Sequence, residues 1–237
     1  MAEPMICAPG VDNYPEWTTF SVARWYFFPK IFGGGATYLH EYKDAWIVYN
    51  KNRIRAIAGN YGIPPILLAG IAWEELGGKA VSWKRPVYIA RRFDWSGPAW
   101  MDENLTITGK PPEQTSFGPI SIQLRVVIKE LGLNANTLST AEAHQLITCL
   151  ETDVYNLQLV AKHLQSLIRY DYPSSNSANL TDEQYIVVGS RYNRGIERKL
   201  SDITDSIKSS PGAPNRKYSE YGRVMLRRRE HIIGLMK

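Results

Sequence analysis

Two prolines followed by eight apolar or small residues set the tightest constraint on this 237-residue chain. Pro64 and Pro65 stand where proline is tolerated, in the first turn of a helix. Ile66-Leu67-Leu68-Ala69-Gly70-Ile71-Ala72-Trp73 is then apolar on every face. A helix of that kind has to be enclosed by other elements. The run is too short to cross a bilayer, which takes about 20 residues. Gly77-Gly78 stops the helix just beyond Glu74-Glu75-Leu76. The chain must therefore build a shell around one buried helix that ends in two adjacent carboxylates.

The rest of the sequence supplies the shell. A helix is predicted over 41–60, with Ala45, Val48, Ile54, Ile57 and Ala58 on its apolar side. Ser116-Phe117-Gly118-Pro119 reads as a tight turn, with a helix after it to Leu131 and a stop at Gly132. Ser139-Thr140-Ala141-Glu142 and Thr181-Asp182-Glu183-Gln184 are capping boxes, each opening a helix. A longer amphipathic helix spans 151–169, with Val154, Leu157, Ala161, Leu164 and Ile168 on one face, and a last helix spans 219–235. Three segments lack helical periodicity. Residues 1–40 read as an irregular aromatic arm, including a Gly33-Gly34-Gly35 loop. Residues 79–115 read as an insertion loop, and 201–217 as a polar loop. No strand-dominated region appears, so the predicted class is mainly α.

The net charge of +5 and the 14 Tyr, 7 Trp and 6 Phe suit a binder of anionic surfaces that stacks on sugars or bases. Other chemistries lack their motifs. His40, His144, His163 and His231 have no metal-ligand spacing, and no glycine-rich phosphate loop occurs. Neither a metal nor a cofactor is predicted. Cys7 and Cys149 could pair but make no disulfide framework, and unpaired thiols are the favoured reading.

A carboxyl at the end of an apolar helix is costly to ionise. Burial and the helix C-terminus both raise its pKa, toward the protonated state that a general acid needs. Gly70 lies four residues before Glu74, on the same face, and would leave space there for a ligand, whereas Ile71 would crowd Glu75. Glu74 is accordingly the predicted acid. The plainer role for both is that of solvated charges in a fraying last turn.

Tyr61-Gly62-Ile63-Pro64-Pro65, with Leu67 to Glu75, resembles the first motif of lytic transglycosylases and goose-type lysozymes, where an apolar helix ends in the catalytic Glu. Ser116-Phe117-Gly118-Pro119-Ile120-Ser121-Ile122-Gln123 resembles their second motif, and Tyr192-Asn193-Arg194-Gly195 their third, in family order. The resemblance covers about residues 43–197. It implies a lysozyme-like domain over 41–237, with 1–40 as an N-terminal arm and 79–115 as a cleft-side insertion. Its Trp83, Trp95 and Trp100 would either stack on sugar faces or pack the loop onto the body. It implies cleavage of peptidoglycan at the MurNAc-GlcNAc β-1,4 bond, as a muramidase or lytic transglycosylase. Glu74 would be the acid, Tyr192 would hold its carboxyl, and Gln123, Asn193, Thr115 and Glu75 would line the substrate. Glu75 departs from the family, which usually has Ser there.

A hydrolase needs a second carboxylate, and a transglycosylase does not, because the substrate's own hydroxyl attacks. Glu113 is the best candidate, ahead of Glu75, Asp94, Asp102 and Glu103. No secretory signal is readable at the N-terminus. The expectation is export by a non-classical route into a target cell's periplasm, as a type VI secretion effector or a phage lysin. The partners would then be peptidoglycan, a cognate immunity protein and a component of the secretion apparatus, with no membrane span. Two other readings remain. One is a non-catalytic wall-binding or structural module. The other is a nucleic-acid binder using Arg223, Arg227, Arg228 and Arg229 with Lys217 and Lys237, a run that reads more simply as a solvated basic face.

Overall fold

The computed structural model describes Cys7 and residues 13–28, 33–94 and 106–237. Among them are ten α-helices and one two-stranded hairpin, the mainly α class that the sequence predicts. No helix among the described residues is long and apolar enough to cross a membrane. The chain divides into two compact units, Met1–Lys43 with Leu76–Asn156, and Asp44–Glu75 with Leu157–Lys237.

In the first unit the N-terminal segment is more regular than its sequence suggests. The Thr18 hydroxyl accepts from the Ser21 N–H at 3.2 Å and opens α1 (Thr19–Phe27). Trp17 is fully buried among Tyr38, Tyr42 and Trp25, with ring centroids 5.3, 4.9 and 6.5 Å away. These aromatics are packing residues, and α2 (Gly35–Tyr61) starts at Gly35 rather than at Glu41. The predicted insertion also holds a helix, α4 (Lys84–Asp94). Pro86 sits in its first turn, where the ring is tolerated. Tyr88 is its one buried residue, so the apolar period is too sparse to read. Arg85 ties α4 to Glu151, with Nε 2.9 Å from Oε1 and Nη2 2.5 Å from Oε2. Trp83 is exposed and donates its indole N–H to Thr19 Oγ1 at 3.0 Å. Trp95, Trp100, Asp102 and Glu103 lie outside the described residues.

Strands β1 (Ser116–Phe117) and β2 (Ile122–Gln123) pair antiparallel, with Ser116 opposite Gln123. Gly118, at φ +82°, turns the chain between them, and a Cβ there would collide with the Asn156 amide and the Leu150 carbonyl. Asn156 is wholly buried and clamps Ile120, accepting from its N–H at 2.8 Å and donating to its carbonyl at 3.1 Å. Helices α5 (Leu124–Glu130), α6 (Thr140–Leu150) and the first residues of α7 (Asp153–Asp171) follow. The Ser139–Glu142 capping box forms as predicted. The cysteines correct the sequence reading, because Cys7 and Cys149 are joined by a disulfide across 142 residues. Two lone cysteines carry no spacing signal, and only the fold brings them together.

The second unit is built around α3 (Pro65–Glu75), whose residues Leu67 to Trp73 are all buried. Each large side chain among them is worth about 1.5–3 kcal/mol of burial. The helix packs on α8 (Asp182–Arg194) and α10 (Glu220–Met236). Helices α8 and α10 touch at Gly222, where a Cβ would strike the Ile186 carbonyl. The Thr181–Gln184 box caps α8 as predicted. Ile47, Ile54, Ile57 and Ala58 of α2, and Leu157, Ala161, Leu164 and Ile168 of α7, are buried, whereas Val48 and Val154 are exposed. The predicted polar loop 201–217 contains α9 (Leu200–Lys208) and a 3-10 turn at Pro214–Tyr218. Only Ile203 and Ser206 of α9 are buried, too few to show a helical period.

A disulfide closing a loop this long constrains the unfolded chain, so reduction should cost about 2–5 kcal/mol of stability. Urea unfolding with and without reductant checks this, and identical midpoints would contradict it.

Candidate active site

The end of α3 positions two carboxylates in different surroundings. Glu74 meets Arg228 of α10, with Oε1 and Nε 3.1 Å apart. The same guanidinium lies over the Trp73 indole, 4.0 Å from the ring centroid. Asp44 holds the other side of that indole, accepting from Trp73 Nε1 at 2.7 Å, and His231 Nε2 lies 2.8 Å from the same oxygen. Glu75 instead accepts a hydrogen bond from the Tyr221 hydroxyl at 2.7 Å. Tyr192 of α8 feels the charge of the same carboxyl. Burial first, and then the Glu75 carboxylate, push the phenols of Tyr192 and Tyr221 well above their ordinary range. Both remain neutral hydrogen-bond donors through and beyond neutral pH.

This geometry corrects the argument that singled out Glu74. Gly70 does not open a ligand space beside it. A Cβ at Gly70 would lie 2.6 Å from the Tyr185 hydroxyl and 3.2 Å from Met225 Cε. Gly70 is there to let α8 and α10 approach, and Tyr185 uses the contact to donate to the Ile66 carbonyl at 3.3 Å. Glu74 is thus on the packed, ion-paired face. The Glu75 carboxylate acts on the Tyr192 phenol through its charge. Asn193 is exposed on the last turn of α8.

The other predicted site residues belong to the first unit. Thr115 is buried, its hydroxyl accepting from Arg91 Nη1 at 2.8 Å and its carbonyl from the Leu124 N–H at 3.0 Å. That is a structural role at the base of the hairpin. Gln123 ends β2, half-buried, and its Oε1 accepts from Arg125 Nε at 2.7 Å. Glu113 is half-buried on the 3-10 turn Pro112–Gln114. Asp94 is occupied by its own loop, accepting from the N–H groups of Ile107 and Thr108 at 3.1 and 2.7 Å. No cluster of three or more His, Cys, Asp or Glu suited to a metal occurs among the described residues.

Sequence reasoning missed Tyr221, Arg228 and Tyr185. A signal for two of them was present. Tyr221, Met225, Arg228 and Ile232 fall on one face of the last helix. That face meets α3, while the arginines were read as a solvated run. Each of them has a carboxylate: Arg223 and Arg227 pair with Glu220 at 2.9 and 3.1 Å, Arg228 with Glu74, and Arg229 with Asp182 at 2.6 Å. A run spent on internal pairs leaves little charge for a nucleic-acid backbone. Comparison with protein-family models, curated proteins and solved structures finds no match.

A buried phenol that ionises near 10 when unfolded keeps its proton to higher pH when folded. Its stabilisation is complete below that value and is lost above it, by about 1.4 kcal/mol per pH unit for each such group. Urea unfolding between pH 8 and 11 should show this alkaline fall. Tyr192→Phe and Tyr221→Phe should each flatten it, and an unchanged slope in both would contradict the burial.

Proposed function

We propose that the chain cleaves glycan strands of peptidoglycan at the MurNAc-GlcNAc β-1,4 bond, with Glu75 rather than Glu74 as the general acid. The observation that carries this reading is the Tyr221 hydroxyl on the Glu75 carboxyl, whose charge also acts on Tyr192, at the end of a helix buried from Leu67 to Trp73. A general acid must present one oxygen to the leaving group while the other is held. A neutral phenol can hold an oxygen in this way without adding a charge. Glu74 is less suited to the task, because its Oε1 is already taken up by the Arg228 guanidinium at 3.1 Å.

In the proposed reaction Glu75 protonates the glycosidic oxygen as the C1–O bond breaks and the sugar gains oxocarbenium character. Attack on C1 by water gives a reducing end, and attack by the substrate's own C6 hydroxyl gives an anhydro end. Glu75 then takes back the proton of the attacking group. Asn193 is proposed to bind sugar hydroxyls. The disulfide supports action outside the cytoplasm, since such bonds persist in oxidising compartments. A target-cell periplasm fits that chemistry.

Digestion of purified peptidoglycan, with mass analysis of the products, tests the reading. Glu75→Gln should lower the rate by about 10²–10⁴-fold, and Glu74→Gln by much less. The reverse order would return the acid to Glu74, and a wild type that releases no fragments would refute the proposal.

A further inference from the structure

Three cations surround one phenol ring just beyond Tyr192 in the second unit. The Arg198 guanidinium carbon lies 3.7 Å from the Tyr218 ring centroid, that of Arg194 5.8 Å, and Lys217 Nζ 5.9 Å. The backbone beneath them is fixed. Arg191 donates through Nη1 to the Arg198 carbonyl at 2.5 Å, and through Nε and Nη2 to Asp171 at 2.8 and 2.9 Å. This Arg191–Asp171 pair is almost wholly buried, at 1% and 3% exposure. Arg194 Nη2 donates to the Lys217 carbonyl at 2.7 Å and so joins the end of α8 to the 3-10 turn. These backbone contacts hold the like charges together. Among the described residues one carboxylate is paired with the three cations, that of Asp202, 3.5 Å from Arg198. The arginines of α10 are different, each lying within 3.1 Å of a carboxylate.

We infer that this cluster is a binding site for carboxylates of the peptide stems carried by the glycan, an inference that rests on the cleavage proposed for Glu75. The chemistry matches. Stacking on a ring orients a guanidinium and leaves its N–H edge to grip a carboxylate in a two-pronged fashion. The lysine adds a mobile point charge. Uncharged sugar hydroxyls give no reason to gather three cations, whereas stem peptides carry carboxylates at fixed intervals along the strand. The location matches as well. Arg194 follows Tyr192 by two residues, about 3 Å along the helix axis, and Tyr218 precedes Tyr221 by three. The cluster therefore lies at the C-terminal end of α8, the helix that carries Tyr192. It selects strands that still bear their stems.

The test compares kcat/KM on stem-bearing glycan strands with that on strands stripped of peptide by an amidase. The expected wild-type preference for stems is about tenfold or more, the scale of one charge-assisted hydrogen bond. Arg194→Gln combined with Lys217→Gln should abolish that preference, and Arg194→Lys should retain part of it. Equal losses on both substrates, or a wild type indifferent to stems, would overturn the inference and leave the acid assignment standing. A wild type that cleaves neither substrate would refute the proposed function instead. For that case the inert Glu75→Gln protein is sedimented with intact and amidase-stripped sacculi. Salt-sensitive binding to intact sacculi that disappears in the Arg194→Gln/Lys217→Gln background supports the site. Equal binding to both kinds of sacculi overturns it.

Discussion

Burying α3 is the constraint on which the second unit depends. Seven consecutive residues, Leu67 to Trp73, are removed from water. The helix therefore cannot tilt its end into solvent without exposing Trp73. Two carboxylates are attached to that end, where the helix dipole already disfavours negative charge. Leaving them unsatisfied there would cost several kcal/mol. The last helix answers both demands with one face. Met225 packs at Gly70, Arg228 meets Glu74 and covers Trp73, and Tyr221 reaches Glu75 across 146 residues of sequence. Folding the core and equipping the carboxylates are the same event.

The sequence disclosed whatever has a local cause. The proline start and glycine stop of α3, both capping boxes and the last helix are set by neighbours within one turn, and all are found where the spacing puts them. What stayed hidden is what depends on distant partners. Helices α4 and α9 bury one or two side chains each, so no periodic stripe marks them. The disulfide joins residues 142 positions apart. The aromatic arm is rich in the rings that a sugar binder would use, yet Trp17 is spent on Tyr38 and Tyr42. Composition counts rings and does not say which of them face a partner.

The choice between Glu74 and Glu75 shows the same limit at the site itself. An i, i+4 rule correctly places Gly70 and Glu74 on one face. It does not say whether the gap at a glycine is left for a ligand or for another helix. Here Tyr185 and Met225 fill it. Adjacent helix residues point about 100° apart, so one position decides whether a carboxyl faces an arginine or a phenol. These partners differ in consequence more than in distance. The guanidinium at 3.1 Å sets a positive charge beside Glu74, whereas the hydroxyl at 2.7 Å gives Glu75 a neutral donor.

That difference gives the neighbouring pair a joint logic. Two carboxylates side by side repel when both are ionised, and the less stabilised of the two retains its proton to higher pH. Arg228, 3.1 Å from Glu74, offsets part of that repulsion, and the Tyr221 hydroxyl gives Glu75 a hydrogen bond. Burial, then the Glu75 charge and, more weakly, the Glu74 charge keep the Tyr221 phenol neutral. The two carboxylates therefore share one electrostatic neighbourhood, and a change at either is felt at the same phenol.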